Sequence, residues 1–488
     1  MPAFSRISGR ATTALLPALA DARGPRYSAL AGALAGLILD GRIAPATRLP
    51  SERELAASLH VSRATVTAAY DVLREQSFLS SRSGSGSVAT LPPSATLRAG
   101  SARWIAPGAR RDGQLPADVI DLTCATLPAP ADHLADAVAV AAAELPEHAE
   151  GEGYEPVGLP ALRAAVAARF EQRGLPTTPD QILITNGALH GTDLVLRLLV
   201  GAGDRVLTEL PTYSGLLDAV RGSGTRLVPV PMSPDGGWQV QAMTAALRQS
   251  APQLALLIPD YQNPTGALIP ESDRREVLQA ARRVGTTVVV DESFVDLSMN
   301  PGATSVPPTA LLDRSVITVG SMSKPFWGGL RTGWVRASAE MISRLAAVRA
   351  GIDMGGSILD QLVATAVFPH LDEIAAHRRA ELRPRRDALV AAVAARLPGW
   401  RTRVPDGGLA LWIELDAALS TPLSMTAPQF GVRIVPGSRF GVDGTLERFL
   451  RLPYTLAEPV LTQAVDRIAS AWESLDSRAT GYTPLIVA

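Results

Sequence analysis

The chain has 488 residues, 46 Lys plus Arg against 47 Asp plus Glu and a formal charge of -1, which excludes a uniformly basic nucleic-acid coat protein. No run of about 20 apolar residues offers a membrane-spanning helix, and residues 1–24 scatter Arg and Pro where a secretory signal needs a basic start and an unbroken apolar stretch. The one cysteine, Cys124, cannot form an internal disulfide, so the expectation is a soluble, cytoplasmic chain of two or three domains held together by burial alone. Of the 46 cations only Lys324 is a lysine. Arg cannot lose its proton at accessible pH, so Lys324 is the one side chain able to act as an amine nucleophile.

The amino-terminal 90 residues hold ten Arg and six acidic residues, net +4, which points this end toward a polyanion. Leu30, Leu34, Leu37 and Ile38 form one stripe of a helix over residues 27–40, with Gly41 just past its end. In LPSERELAASL, Ser51 is placed to cap a second helix and Glu54, three residues on, to complete a capping box; Leu55 and Leu59 supply its buried face. After a turn at residues 59–61, Ser62 caps a third helix, SRATVTAAYDVLREQ. Its inward stripe is Val66, Ala69, Tyr70 and Leu73, with Arg63 and Thr67 toward solvent. Two helices joined by such a turn make a helix-turn-helix, and the glycine-punctuated FLSSRSGSGSVAT suits a two-stranded wing.

This pattern resembles the winged helix-turn-helix of the GntR family of bacterial transcription regulators, over residues 25–90. The resemblance implies contacts to operator DNA from Arg53 at the start of helix two, from Ser62, Arg63 and Thr65 at the start of helix three, and from Ser83 and Gly84 at the wing tip. The chemistry agrees: a helix N-terminus favours phosphate, and Arg can pair bidentately with guanine. His60 stands where the family usually has Gly, so a left-handed turn there carries some strain.

Residues 92–118, rich in Pro, Gly, Ala and Arg with no apolar period, read as an interdomain linker after a DNA-binding domain at 1–91. Beyond it, helical stretches alternate with the apolar runs ILIT (182–185), RVLTE (205–209), LALLIP (254–259), TTVVVD (286–291) and VITVG (316–320). This alternation predicts a mostly parallel α/β sheet covered on both faces. A large domain is expected at 119–370 and a smaller α+β subdomain at 371–488. No metal site is read from the sequence.

Four segments make one constellation. SMSKPFWGGLRTGW holds Lys324 with Ser321, Ser323 and Arg331, TTVVVDES ends a buried strand in Asp291, DYQNPTG places Asn263 after an apolar run, and TNGALHG places Asn186, Gly187 and Ala188 before a helix. Strand ends are where parallel sheets gather ligands. An imine-forming Lys, an acid at a strand end and a glycine at a helix start for a phosphate are together what pyridoxal 5'-phosphate requires.

Residues 153–472 resemble a fold-type I aminotransferase. The resemblance implies that Lys324 links to the cofactor as an imine, Asp291 pairs with its pyridine nitrogen, Asn263 bonds its phenolic oxygen and Tyr213 stacks on its ring. It implies that Gly187, Ala188, Ser321, Ser323 and Arg331 hold its phosphate, and that Arg451, in FLRLPYT, pairs with a substrate or effector carboxylate. Many members carry a Tyr two or three positions after the Asp; here Ser293 and Phe294 stand there, which bears on transamination more than on cofactor binding.

A GntR-type reader joined to such a domain is the architecture of the MocR subfamily of regulators. It implies a homodimer that binds operator DNA and senses pyridoxal 5'-phosphate or an amino compound captured on it. The same residues would also serve a working aminotransferase that carries a DNA-binding module.

Overall fold

A computed structural model describes residues 6–16, 25–39, 42–45, 47–82, 86–90, 118–233, 235–300, 306–442 and 444–480. The expected linker up to residue 117 and the wing-tip residues Ser83 and Gly84 lie outside the described residues.

The amino-terminal unit comprises α1 (Gly9–Leu15), α2 (Arg26–Leu39), α3 (Glu52–Leu59), α4 (Arg63–Glu75) and the wing strands β1 (Leu79–Arg82) and β2 (Gly86–Ala89). The stripe Leu30, Leu34, Leu37 and Ile38 is at most 1% exposed and packs with Leu55, Val66, Ala69, Tyr70 and Leu73 in one core. Each such side chain, once buried, stabilises the fold by about 1.5–3 kcal/mol relative to exposure. Ser51 Oγ accepts the Glu54 N–H at 3.2 Å and Ser62 Oγ accepts the Thr65 N–H at 3.1 Å, so both predicted N-caps form.

One detail differs from expectation. The Glu54 carboxylate goes mainly to the Gly9 N–H (2.8 Å) and to Arg6 (3.0 Å), because the preceding segment folds as α1 and packs against α3. A capping box therefore became a tertiary link. His60 takes the left-handed turn expected of it, at φ 54°, ψ 40°, and its backbone N–H caps the Ala56 carbonyl.

The second unit is built on a seven-stranded sheet. Its strands are β4 (Ile182–Thr185), β5 (Arg205–Leu210), β6 (Arg226–Pro231), β7 (Leu254–Leu257), β8 (Thr287–Asp291), β9 (Ile317–Ser321) and β10 (Gly333–Arg336), in the order β4-β10-β9-β8-β7-β5-β6. All run parallel except β10, which pairs antiparallel with β4 and β9. Alternate residues enter two separate cores: Leu207, Ala255, Leu257, Val288 and Val290 on one face, Val206, Leu254, Leu256, Val289 and Val319 on the other. Helices cover both faces, and the strand ends that carry Asp291 and Ser321 open toward one side of the sheet.

A smaller antiparallel sheet orders Arg401–Thr402, Ala410–Glu414, Phe449–Pro453 and Val435–Pro436, backed by the helices Leu371–Arg396 and Glu458–Thr480. Ile120, Leu122, Ala125 and Leu127 pack into this smaller core, although the sequence joins them to the large domain. β3 (Ile120–Asp121) pairs in parallel with Val432 and Arg433, and Arg433 donates to Asp121 at 3.2 Å. This pairing across more than 300 residues has no local signature.

Candidate functional site

A cavity of about 490 Å³ opens at the strand ends of the large sheet. Its walls include Gly187, Ala188, Tyr213, Asn263, Asp291, Ser321, Ser323, Lys324 and Arg331, so every residue that the sequence linked to a cofactor converges on one space. Thr126, Leu127, Trp327, Ser293 and Phe294 complete much of the wall. The volume lies in the range of small-molecule sites.

One end of the cavity is built for an anion. Gly187 caps the helix Ala188–Leu199 at φ 85°, a conformation that glycine adopts without penalty. A Cβ at Gly187 would stand 3.1 Å from Arg331 Nη2, so any side chain would fill the cradle between helix end and guanidinium. Arg331 itself sits at φ 52° and is held by the Asn186 carbonyl (3.0 Å) and the Gly328 carbonyl (3.2 Å). Ser323 N–H donates to Ser321 Oγ at 3.1 Å, and the Ser321 hydroxyl donates to Ser323 Oγ at 2.9 Å. Backbone amides at a helix start, two hydroxyls and an Arg fork together form a phosphate-type donor set.

At the centre, burial dominates the electrostatics. Burial, with Arg451 adding to it, pushes the Lys324 amine down to about 8, against an opposing pull from Asp291. About a tenth of such an amine is neutral at pH 7, against fewer than one in a thousand for an ordinary Lys. Burial raises the Asp291 carboxyl, and the Ser293 N–H, donating at 2.8 Å, opposes that rise. Tyr213 is likewise raised, by burial first and by Asp291 second. Phe294, at the position where a hydroxyl was expected to be missing, places its ring 5.4 Å from Lys324 Nζ and lines the cavity.

Arg451 differs from the rest. It is buried, lies outside the cavity wall, stands 4.8 Å over the Phe440 ring and donates to the Thr123 carbonyl at 2.5 Å. Lys324 Nζ donates to the Ala125 carbonyl at 3.0 Å. The expected carboxylate partner of Arg451 therefore competes with a backbone carbonyl of the 122–127 strap. Burial lowers the Arg451 guanidinium to about 10.

Sequence reasoning missed the layer behind these residues. Asn186 Nδ2 donates to Asp353 (2.9 Å), Arg349 pairs with Asp353 (2.7 Å), and the Asn186 N–H donates to His190 Nδ1 (3.1 Å). Glu209 is fully buried and accepts from Thr212 Oγ1 (3.0 Å), Gln262 Nε2 (3.2 Å) and the Ile258 N–H (3.3 Å), tying the turn before Tyr213 to the turn before Asn263. Burial pushes its carboxyl up to about 7. An acidic residue inside the apolar strand RVLTEL was the available signal; the Asn186 to Asp353 contact, 167 residues apart, offered none.

On the amino-terminal unit, Arg53, Ser62 and Arg63 are exposed on α3 and at the start of α4, with Thr65 half-buried one turn in. The Ser62 and Thr65 hydroxyls bond each other at 2.8 Å. Arg53 stands in the first turn of α3, and Ser62, Arg63 and Thr65 stand at the start of α4.

Residues 117–468 match the family model for aminotransferase class I and II, and residues 26–88 match that for bacterial regulatory proteins of the gntR family. The chain is 32% identical over 338 residues to 2-aminoadipate transaminase of Thermus thermophilus, covering 67% of this chain and 82% of that one. It is 31% identical over 487 residues to the probable rhizopine catabolism regulatory protein MocR of Rhizobium meliloti, covering 95% and 97%. Among solved structures it is similar to the α-aminoadipate aminotransferase of Thermus thermophilus complexed with N-(5'-phosphopyridoxyl)-L-leucine, with a TM-score of 0.68 and 30% identity over 74% of this chain and 94% of that one.

Proposed function

The chain belongs to the aminotransferase class I and II family and to the MocR-type regulators that join such a domain to a GntR helix-turn-helix, and from this we propose that it is a pyridoxal 5'-phosphate-dependent transcription regulator. The observation that carries the proposal is the convergence of Lys324, Asp291, Asn263, Tyr213, Gly187 and Arg331 on one cavity in a chain that also presents Arg53 and Arg63 on a helix-turn-helix.

The residues present fit the cofactor. Gly187, Ala188, Ser321, Ser323 and Arg331 would hold its phosphate, Asp291 its pyridine nitrogen, Asn263 its phenolic oxygen, and Tyr213 one face of its ring. Pyridoxal 5'-phosphate supplies an aldehyde that captures a primary amine and a ring that withdraws electrons. Lys324, as the chain's one lysine, offers the amine for that capture, and its lowered proton affinity keeps part of it neutral near pH 7. An amino-compound effector would take the place of Lys324, and its carboxylate would compete with the Thr123 carbonyl for Arg451. Because the 122–127 strap packs in the smaller core and leads back to the segment joining the two units, that competition couples effector to DNA reader. The working unit would be a homodimer presenting two readers to two half-sites.

The test is binding of the full chain to the DNA upstream of its own gene, with and without pyridoxal 5'-phosphate and candidate amines. A cofactor-dependent change in affinity is expected; DNA binding indifferent to cofactor and amines contradicts the sensing role. Borohydride reduction with the cofactor should label a peptide containing Lys324, with the terminal amine as the alternative target. The likeness to 2-aminoadipate transaminase favours a second reading, a working aminotransferase with a DNA-binding module. Sustained keto-acid production from amino acids and 2-oxoglutarate supports that reading, whereas a spectral change that stops after one half-reaction supports the sensor.

A further inference from the structure

One carboxylate fastens the recognition helix. Glu52 is the first residue of α3, and three donors from α4 converge on it. Thr67 Oγ1 (2.9 Å) and Arg63 Nη2 (3.4 Å) share one oxygen, and Arg74 Nη2 stands 3.8 Å from the other. These three residues follow one another at spacings of four and seven along α4, so they form one stripe. Arg74 continues to Ser87 Oγ of β2 at 3.2 Å, which extends the same line into the wing.

A carboxylate next to Arg53 in the chain and in contact with Arg63 repels phosphate, and capping of α3 does not require it, because Ser51 performs that task. Its contact with Arg63 supplies a reason. The Arg63 side chain is 72% exposed and would otherwise sample many rotamers and any nearby phosphate. Held at one Nη by Glu52, it keeps its other donors in a fixed fork, the geometry that reads guanine O6 and N7. We propose that Glu52 is a specificity-determining positioning residue of the DNA reader, which orients Arg63 toward a base and withholds it from phosphates. The proposal rests on the reading of Arg63 as a base-contacting residue.

The experiment compares full-length wild type, Glu52→Gln, Arg63→Ala and the double variant. Each is titrated, across a salt series, with the duplex upstream of the chain's own gene and with a random duplex of equal length. Glu52→Gln keeps an acceptor for Thr67 and removes the charge. It should lower the upstream-to-random affinity ratio about tenfold. Random-duplex affinity should rise, and its logarithmic salt dependence should steepen by about one as Arg63 turns to a phosphate. In the Arg63→Ala background the same substitution should leave the ratio unchanged. An unchanged ratio in Glu52→Gln, or an equal fall with and without Arg63, overturns the proposal while the DNA-binding reading stands. If Glu52→Gln lowers the melting temperature, Glu52→Asp replaces it: the charge stays but the reach to Arg63 shortens, so the ratio should fall, and an unchanged ratio again overturns the proposal. Wild-type protein that does not distinguish the two duplexes removes the DNA reading and the proposal with it.

Discussion

In the DNA reader the residues assigned to function stand in the open: Arg53, Ser62 and Arg63 are exposed, and a pair of capped helices is enough to present them. In the cavity they stand at or just past the ends of buried strands, and Lys324, Asp291 and Tyr213, together with Arg451 outside the wall, all titrate away from their ordinary values, burial being the first cause in each case. An exposed Arg contributes affinity and specificity through the contacts it makes to DNA. A buried Lys or Asp also sets the charge of its neighbours, so a substitution in the cavity changes chemistry where one in the reader changes only DNA binding. Substitutions on either side should therefore separate the two regions, and their effects should fall in a definite order.

The largest effect is expected at Lys324. With no second lysine in the chain, Lys324→Ala should abolish cofactor-linked visible absorbance and leave borohydride labelling only at the terminal amine, while binding to random duplex persists. The neutral amine is the reactive form and lies above the pKa. Cofactor uptake by the wild-type protein should accordingly rise with pH and level off above about 8. Uptake that keeps climbing past pH 10, as an ordinary lysine would give, contradicts a buried Lys324. Next is Arg63→Ala, which should weaken operator binding about 10- to 100-fold and leave the absorbance untouched. Undiminished operator affinity in that variant would show that α4 is not the recognition helix.

A third substitution works within the cavity. Phe294 lines the wall beside Lys324 without a hydroxyl. Phe294→Tyr would add a donor to the phenolic oxygen of the bound cofactor and so reduce the proton affinity of the linked nitrogen. The pH midpoint of the visible absorbance should move down by about one unit, equivalent to about 1.4 kcal/mol. A midpoint that stays in place means that the ring of residue 294 does not face the cofactor.

How far these regions were legible follows from the same physics. The five apolar runs named from sequence became β4, β5, β7, β8 and β9 because a strand buried on both faces writes its burial into every position. β6 carries Pro229 and Pro231, which argue against a strand yet are tolerated where it lies at the sheet edge, and β10 is four residues beginning at Gly333. Most of the cavity residues assigned to the cofactor were legible because they stand at or shortly after a strand end. The strap that meets Lys324 and Arg451, and the Asp353 contact behind Asn186, were not, because long-range pairs leave no period in the chain. Glu54 shows the limit of local rules: its capping spacing was correct, but Gly9 and Arg6 claim most of its carboxylate.

The smallest effect is expected at His60, and its sign is the informative part. At φ 54° and ψ 40° the Cβ crowds the following carbonyl, a cost of roughly 1–2 kcal/mol for a residue with a side chain. His60 is exposed, so its ring contributes little packing to offset that cost. Glycine would remove the crowding, while the added freedom of the unfolded chain takes back roughly 0.5–1 kcal/mol. The balance favours His60→Gly by up to about 1 kcal/mol, or about 4–8 °C in the melting of a unit this small. Operator affinity should stay within twofold of wild type, since the turn's backbone already has the conformation that Gly prefers. A lower melting temperature would mean that His60 has a partner of its own at the turn. Weaker operator binding without a loss of stability would bring the turn into the DNA contact and blur the contrast between the two regions.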